Sequence, residues 1–174
     1  KRYDWQLGDL PKGYDHKYIY SHIGYNLKAS DMQAALGYSQ ITNLDDFISK
    51  RKNNFEFLFN AFKELQEFQL IEKQEDSDPS WFGFPVIIKP NQKFSRNELL
   101  TFYEERKIGT RLLFGGNIQK QPAYKDINFI TSELNVADNI LENCFWLGVY
   151  PGLNKEMLEF IVSSTKEFTK NYEN

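Results

Sequence analysis

One amphipathic stripe, in the first half of the chain, limits the possible folds of this protein more than any other feature of the sequence. From Asn43 to Leu65, apolar side chains recur with the 3.6-residue period of an α-helix. The period predicts a helix of about 22 residues, roughly 33 Å long at 1.5 Å per residue. Such a stripe is more typical of a buried core than of a binding site. The stripe comprises Leu44, Phe47, Ile48, Arg51, Phe55, Leu58, Phe59, Phe62 and Leu65.

Two capping boxes mark the starts of further helices. Ser30 is followed by Gln33, and Ser95 is followed by Glu98, so each pair fits a pattern in which both side chains bond to amides at the helix end. At the end of the second of these helices, Gly109 occupies the place of a C′ glycine. The remaining predicted helices are a short one over Ala137–Asn143 and a final amphipathic one capped by Asn154.

Four short segments have the composition of β-strands. They are Phe68–Glu72, Trp81–Ile88, Thr110–Leu113 and Phe145–Val149. Pro85 cannot donate a ladder hydrogen bond, so its strand is predicted to be an edge strand or to contain a bulge. The order of elements predicts an α+β fold, with a small sheet of three to four strands packed by helices on one side. No internal repeat or linker divides the chain.

Charge and cysteine content exclude several classes of protein. The net charge is −3, so the chain lacks the basic surface of a nucleic-acid binder and no nucleic-acid partner is expected. Its apolar runs are far shorter than the ~20 residues of a membrane span, so no membrane partner is expected. The single cysteine, Cys144, excludes a disulfide framework and a multi-thiolate metal site. His16 and His22 accompany no metal-binding motif, so we predict no metal ligand.

No catalytic motif is complete in the chain. The glycine spacings of nucleophile elbows, phosphate loops and dinucleotide-binding folds are all missing from the sequence. The pair Gly115-Gly116 is more typical of a turn than of a phosphate site. From the residues alone, the prediction stops at an α+β domain with an aromatic-rich N-terminal loop, and we assign no catalytic residue.

A motif within residues 21–40 identifies a family. The run Gly24-Tyr25-Asn26-Leu27-Lys28 precedes the run Gln33-Ala34-Ala35-Leu36-Gly37. These runs resemble the DegT/StrS-type sugar aminotransferases and dehydratases, which have Gly-Tyr-Asn-any-Arg and then Gln-Ala-Ala-any-Gly on a helix. Lys28 replaces that arginine, which keeps the positive charge but loses the bidentate fork. The resemblance implies a pyridoxal-phosphate enzyme of fold type I that acts on nucleotide-linked keto-sugars.

Further stretches resemble the 3-dehydratase branch of that family, and within it the CDP-4-keto-6-deoxyglucose 3-dehydrases of lipopolysaccharide biosynthesis. They are residues 1–26, GTRLLFGGNIQKQPAY at 109–124 and WLGVYPGL at 146–153. The resemblance implies that residues 1–28 form an extended interface segment and residues 29–174 the small C-terminal α+β domain. The large cofactor domain would lie outside the chain. Because the chain opens on Lys1 without a leader-like segment, we expect a C-terminal fragment that is inactive in isolation.

Three functions are open. The resemblance favours a nucleotide-sugar 3-dehydratase of deoxysugar and lipopolysaccharide biosynthesis that uses pyridoxamine or pyridoxal phosphate (PMP or PLP). In that chemistry PMP condenses with the 4-keto group of the sugar and the 3-hydroxyl leaves. A [2Fe-2S] cluster in the parent enzyme, with ligands outside this chain, would pass electrons from a reductase partner. The alternatives are a PLP-dependent sugar aminotransferase and a non-catalytic module for dimerisation or sugar-nucleotide binding. A cytoplasmic homodimer is expected.

The same resemblance assigns candidate site residues. Asn26 matches the asparagine that reaches the cofactor phosphate of the neighbouring subunit. His22 and Tyr25 flank it and would border the sugar. The loop at the end of the third predicted strand would face the active site, and it contributes Arg111, Phe114 and Asn117. Arg111 suits a nucleotide phosphate because a guanidinium matches that anion. The open alternatives are a left-handed loop position for Asn26, structural packing for His22 and Tyr25, and a surface ion pair for Arg111.

Overall fold

The computed structural model describes residues 23, 25, 27–124, 126–128 and 130–172. The chain divides into two compact units, Lys1–Thr42 and Asn43–Asn174, and each is described by itself. Because most of residues 1–28 lies outside the described part, the extended interface segment stays a prediction. No helix among the described residues is both long enough and apolar enough to cross a bilayer.

In the first unit, the described helix is α1 (Asp31–Ile41). Its predicted capping box is confirmed, since the Gln33 amide donates to Ser30 Oγ and the Ser30 amide donates to Gln33 Oε1, at 3.3 and 2.9 Å. Every side chain of α1 is exposed, including the apolar ones of Met32 and Leu36. A helix of this length is marginal in water by itself.

The second unit is an α+β fold, as predicted. Its elements are α2 (Leu44–Phe62), β1 (Phe68–Leu70), β2 (Gly83–Ile88), α3 (Arg96–Glu105), β3 (Thr110–Leu112), α4 (Asn135–Asn143), β4 (Cys144–Gly148) and α5 (Lys155–Lys170). The four strands form one antiparallel sheet in the order β1-β2-β4-β3. Two 3₁₀ turns, Ile118–Lys120 and Pro122–Tyr124, interrupt the long connection from β3 to α4.

The hydrophobic core lies on one face of the sheet. Alternate strand residues point into it, as the period of two along a strand requires. Helices α2, α3 and α5 close this core from the other side. Fully or almost fully buried members include Leu58 and Phe62 from α2, Phe84 and Val86 from β2, Leu99 and Tyr103 from α3, Phe145 and Leu147 from β4, and Leu158 and Phe168 from α5.

The expectation that Pro85 marks an edge strand or a bulge is wrong. Its strand, β2, lies between β1 and β4, and the pairing of β2 with β4 runs without a bulge from Gly83 to Ile87. The short strand β1 pairs no further than Val86. At Pro85, β2 therefore has a neighbour on one side only. The proline is tolerated because an internal strand is locally an edge where its partner has ended.

The predicted C′ glycine is also wrong by two positions. Helix α3 ends at Glu105, and Lys107 takes the left-handed conformation with φ 59°. The amides of Lys107 and Ile108 donate to the carbonyls of Glu104 and Tyr103, both at 2.9 Å. This is the bonding pattern of a Schellman motif, which usually places glycine where Lys107 stands.

Candidate functional site

Arg111 lies on the sheet face that the core helices leave open. Its strand, β3, is an edge strand that pairs with β4, and Arg111 stands directly opposite Trp146. Directly opposite residues in an antiparallel pair project from the same face. The guanidinium is exposed and its Nη1 donates to the Thr110 carbonyl at 3.3 Å. Arg111 makes no ion pair with any residue that the structure describes, so the surface ion pair considered as its alternative role finds no support there.

Phe114 projects from the loop that follows β3. Its φ is 50°, a left-handed conformation that a bulky side chain rarely adopts. The Phe114 amide donates to the Leu112 carbonyl at 2.8 Å, which makes a tight turn at the strand end. The ring is 79% exposed and lies 6.0 Å, centroid to centroid, from the ring of Trp146. A strained backbone that holds an aromatic ring in solvent is typical of a binding site.

Trp146, which is not among the predicted site residues, links Arg111 and Phe114 into one surface. The indole lies over Gly83, where a Cβ would come within 1.7 Å of the ring. The exposed ring of Phe82 lies 4.6 Å away. Alternation gave a signal that could have found Trp146. Its neighbours Phe145 and Leu147 point into the core, so Trp146 must point outward, and an outward tryptophan on a strand is unusual.

Asn117, the third predicted residue of this loop, is held by contacts within the chain. It is 4% exposed. Its Nδ2 donates to Asp138 Oδ1 at 2.7 Å, and its Oδ1 accepts from the Gln119 amide at 3.0 Å. Lys120 also binds Asp138 Oδ1, at 2.8 Å. The hydrogen bonds that Asp138 accepts from Lys120 and from Asn117 lower the pKa of Asp138 below its ordinary value, and the bond from Lys120 has the larger effect. The bonds give Asn117 a role in shaping the loop, and its contact with substrate stays a prediction.

The predicted site residues of the first unit are less well described. Tyr25 is 91% exposed. His22 and Asn26 lie outside the described residues. The structure therefore groups Arg111 and Phe114 on one surface of the second unit, and it gives no geometry for the predicted contacts of the other two residues.

Other chemistry is limited within the described part of the chain. That part contains no group of three or more His, Cys, Asp and Glu side chains able to hold a metal ion. Cys144 is buried, and burial raises the pKa of its thiol. A thiol in this state is a poor nucleophile.

Comparison with known proteins identifies the family. The pattern of the DegT/DnrJ/EryC1/StrS aminotransferase family matches residues 8–166. The chain is 49% identical over 170 residues to the lipopolysaccharide biosynthesis protein RfbH of Salmonella typhimurium, covering 97% of this chain and 39% of RfbH. It is 46% identical over 169 residues to dTDP-4-dehydro-2,6-dideoxy-D-glucose 3-dehydratase of Saccharopolyspora spinosa, covering 97% of this chain and 37% of that enzyme. The chain thus spans about two fifths of the length of these relatives.

Solved structures share the fold. DesV of S. venezuelae superposes with a TM-score of 0.77 at 22% identity, over 91% of this chain and 41% of DesV. The E. coli GDP-4-keto-6-deoxy-D-mannose-3-dehydratase with bound hydrated PLP superposes with a TM-score of 0.74 at 24% identity, over 85% of this chain and 38% of that enzyme. The sequence match and the shared fold agree, and the chain belongs to the DegT/DnrJ/EryC1/StrS aminotransferase family.

Proposed function

We propose that this chain is the small-domain part of a nucleotide-sugar 3-dehydratase of deoxysugar and lipopolysaccharide biosynthesis. The two relatives at 46% and 49% identity support the dehydratase assignment, since one is named a 3-dehydratase and the other a lipopolysaccharide biosynthesis protein. A transaminase from Shigella dysenteriae is only 26% identical over 83% of the chain. A sugar aminotransferase is therefore the second candidate.

The geometry that supports this proposal is the open surface around Arg111. A permanently charged guanidinium stands there without a carboxylate partner among the described residues, beside the exposed ring of Phe114. In this role Arg111 binds the diphosphate of the sugar nucleotide, because its planar fork matches phosphate oxygens. Phe114 excludes water beside that ion pair, which strengthens the electrostatic attraction. Tyr25 and His22 border the sugar.

The cofactor in this proposal is PLP or PMP. Its ring supplies the electron sink that lets a proton leave carbon and a hydroxyl group depart. Asn26 donates its amide hydrogens to the cofactor phosphate of the neighbouring subunit without adding charge. That assignment relies on the match of Gly24-Tyr25-Asn26 to the family motif, since the described residues offer no contact to test it. In this proposal the residue that moves the proton belongs to the cofactor domain and not to these 174 residues.

The remaining parts of the proposal concern assembly. The exposed apolar side chains of α1 favour a homodimer, because an isolated helix of this length with no buried residue needs a partner surface. Reduction through a [2Fe-2S] cluster would need a reductase partner. With one buried cysteine, this chain cannot supply the thiolates that such a cluster needs. The enzyme would work in the cytoplasm.

Replacing Arg111 tests the proposal. In the protein that joins these residues to their cofactor domain, Arg111→Ala should raise KM for the sugar nucleotide about 10- to 100-fold and change kcat little, as expected for loss of a charge-assisted phosphate contact. Arg106→Ala is the matched control, since Arg106 pairs with Glu167 at 2.6 Å and should leave KM unchanged. Equal KM values in the two variants would contradict the role of Arg111.

Product analysis separates the candidate functions. With PMP and a reducing partner, a 3-dehydratase releases a 3-deoxy sugar. An aminotransferase instead transfers an amino group to the sugar, and a lysine of its cofactor domain would hold PLP as a Schiff base. The 174-residue chain alone should show neither activity, and turnover by it would contradict the expected dependence on a cofactor domain. Tight binding of a CDP-sugar, measured by calorimetry, without either activity in the protein that joins these residues to their cofactor domain would favour the binding module.

A further inference from the structure

A row of glycines crosses the open sheet face beside Trp146. Gly83 pairs with Gly148 across β2 and β4. The β3–β4 register pairs Thr110 with Leu147, so Gly109 falls opposite Gly148 at the next position. Three adjacent strands thus lack a side chain at neighbouring places. Glycine weakens a strand, and its presence often marks close approach of another group.

The glycines of this row differ in what lies above them. The Gly83 position is filled by the Trp146 indole, whereas a Cβ at Gly109 or Gly148 would meet nothing within 4 Å. The open positions are the floor of a recess of about 270 Å³ that is also lined by Phe82, Arg111 and Trp146. This volume lies just below the range of sites for complete small ligands, about 300–1,000 Å³. The recess has room for one flat ring but not for a whole sugar nucleotide.

The chemistry of the recess selects a particular kind of ring. Its walls are the aromatic side chains of Phe82 and Trp146, on which a flat ring can stack. Arg111 is the one charged residue in its lining, so an anionic ligand is favoured. The indole Nε1 of Trp146 is out of solvent and has no hydrogen-bond partner among the described residues. The aromatic walls and the single positive charge together favour a flat ring joined to an anionic group.

We propose that this glycine-floored recess binds the nucleobase of the sugar nucleotide, stacked against Trp146 and Phe82, while Arg111 holds the adjoining diphosphate. A nucleobase is flat and rich in acceptors, and it is joined to a diphosphate through one ribose. The flat base matches the aromatic walls of the recess, and the diphosphate matches the Arg111 guanidinium. The inference extends the proposed function, since it takes the ligand to be a sugar nucleotide, and it makes Trp146 and Gly148 determinants of nucleotide binding.

The test fills the recess without disturbing the core. Gly148→Val puts a side chain into the open space above β4, and a β-branched residue suits a strand. Gln69→Val is the matched control because Gln69 lies on β1 opposite Ile87, two strands from the recess. Titrations of the 174-residue chain with CDP, UDP, dTDP, GDP and inorganic pyrophosphate are followed by the indole N–H signals in ¹H–¹⁵N spectra. Trp146→Phe assigns the signal of Trp146.

At least one nucleoside diphosphate should shift the Trp146 indole signal, and inorganic pyrophosphate should not. Gly148→Val should lower the binding affinity for that nucleotide at least 10-fold, within the range expected for loss of base–aromatic stacking. Gln69→Val should leave the affinity unchanged. An indole signal that no nucleotide moves overturns the base site and favours docking of another protein domain on this face. Nucleotide binding that is lost in Arg111→Ala but kept in Gly148→Val overturns the base site alone. The Arg111 kinetics described above report on the proposed function separately.

Discussion

Mutation of the buried hydroxyl pair of Tyr103 and Thr165 gives a well-defined test of how a hydrogen bond stabilises the core. Both residues are fully buried, and their hydroxyl oxygens lie 2.7 Å apart. The Thr165 hydroxyl donates its one hydrogen to the Ile161 carbonyl, also at 2.7 Å. Tyr103 must therefore be the donor in the pair. The chain of bonds runs from α3 to α5 in one direction, so the two residues are not equivalent under mutation.

Removing the donor and removing the acceptor should have different costs. Tyr103→Phe deletes one hydrogen bond and leaves Thr165 bonded to Ile161, so it should cost about 1 kcal/mol. Thr165→Val leaves the Tyr103 O–H buried without a partner, which should cost about 2 kcal/mol. The double variant removes both polar groups and should cost about 1 kcal/mol instead of the sum of about 3. The expected coupling free energy is thus about 2 kcal/mol.

Urea unfolding at neutral pH measures these free energies. In heating experiments the Thr165→Val variant should melt about 4–8 °C lower, at 2–4 °C per kcal/mol for a chain of this size. Thr169→Val is the control, since Thr169 is also buried on α5 but donates only to the Lys166 carbonyl of its own helix. It should cost well under 1 kcal/mol. Single-variant costs that add to within 0.5 kcal/mol would show that the two hydroxyls are not coupled, and equal costs for the two single variants would refute the proposed direction of the bond.

Two further perturbations concern pH and the end of α3. Burial raises the pKa of the Tyr103 phenol in the folded chain, so above about pH 10 the unfolded chain releases a proton that the folded chain keeps. Stability should therefore fall as the pH rises from about 10, by up to 1.36 kcal/mol per pH unit from this group, and urea titrations of Tyr103→Phe should lack that component. Lys107→Gly relieves the left-handed backbone at φ 59° and should raise the free energy of unfolding by about 0.5–1 kcal/mol. A Lys107→Gly variant that is less stable than the unaltered chain would contradict the strain.

The elements set by local chemistry were predictable from the sequence. Both capping boxes form at Ser30 and Ser95, because each requires only residues three apart on one turn. Three of the four strands lie within their predicted segments, since alternation and β-branched content are local signals, and β4 begins one residue earlier than predicted, at Cys144 instead of Phe145. The end of α2 was placed late, at Leu65 instead of Phe62. The apolar stripe continues past the helix because Leu65 still packs against the core.

Properties that depend on strand pairing were not predictable. Nothing near Pro85 in the sequence indicates that the pairing of β1 with β2 ends at Val86, the residue next to Pro85. The surface around Arg111 has the same origin, since Trp146 is 35 positions away along the chain and reaches it only through the register of β3 with β4. The Schellman end of α3 shows the opposite case. Its left-handed residue is Lys107, two positions before the glycine that the residue pattern selects.

Strand β4 explains how one small sheet can both hold a core and present a site. Phe145 and Leu147 point into the helices and are almost fully buried, while Trp146 and Gly148 alternate with them on the open face. Because the side chains of a strand project in opposite directions, a change at Gly148 adds volume where no core atom lies. The binding surface can therefore vary at little cost to folding. For the same reason, stability of the Gly148→Val variant close to that of the unaltered chain would show that lost nucleotide binding reflects the site and not the fold.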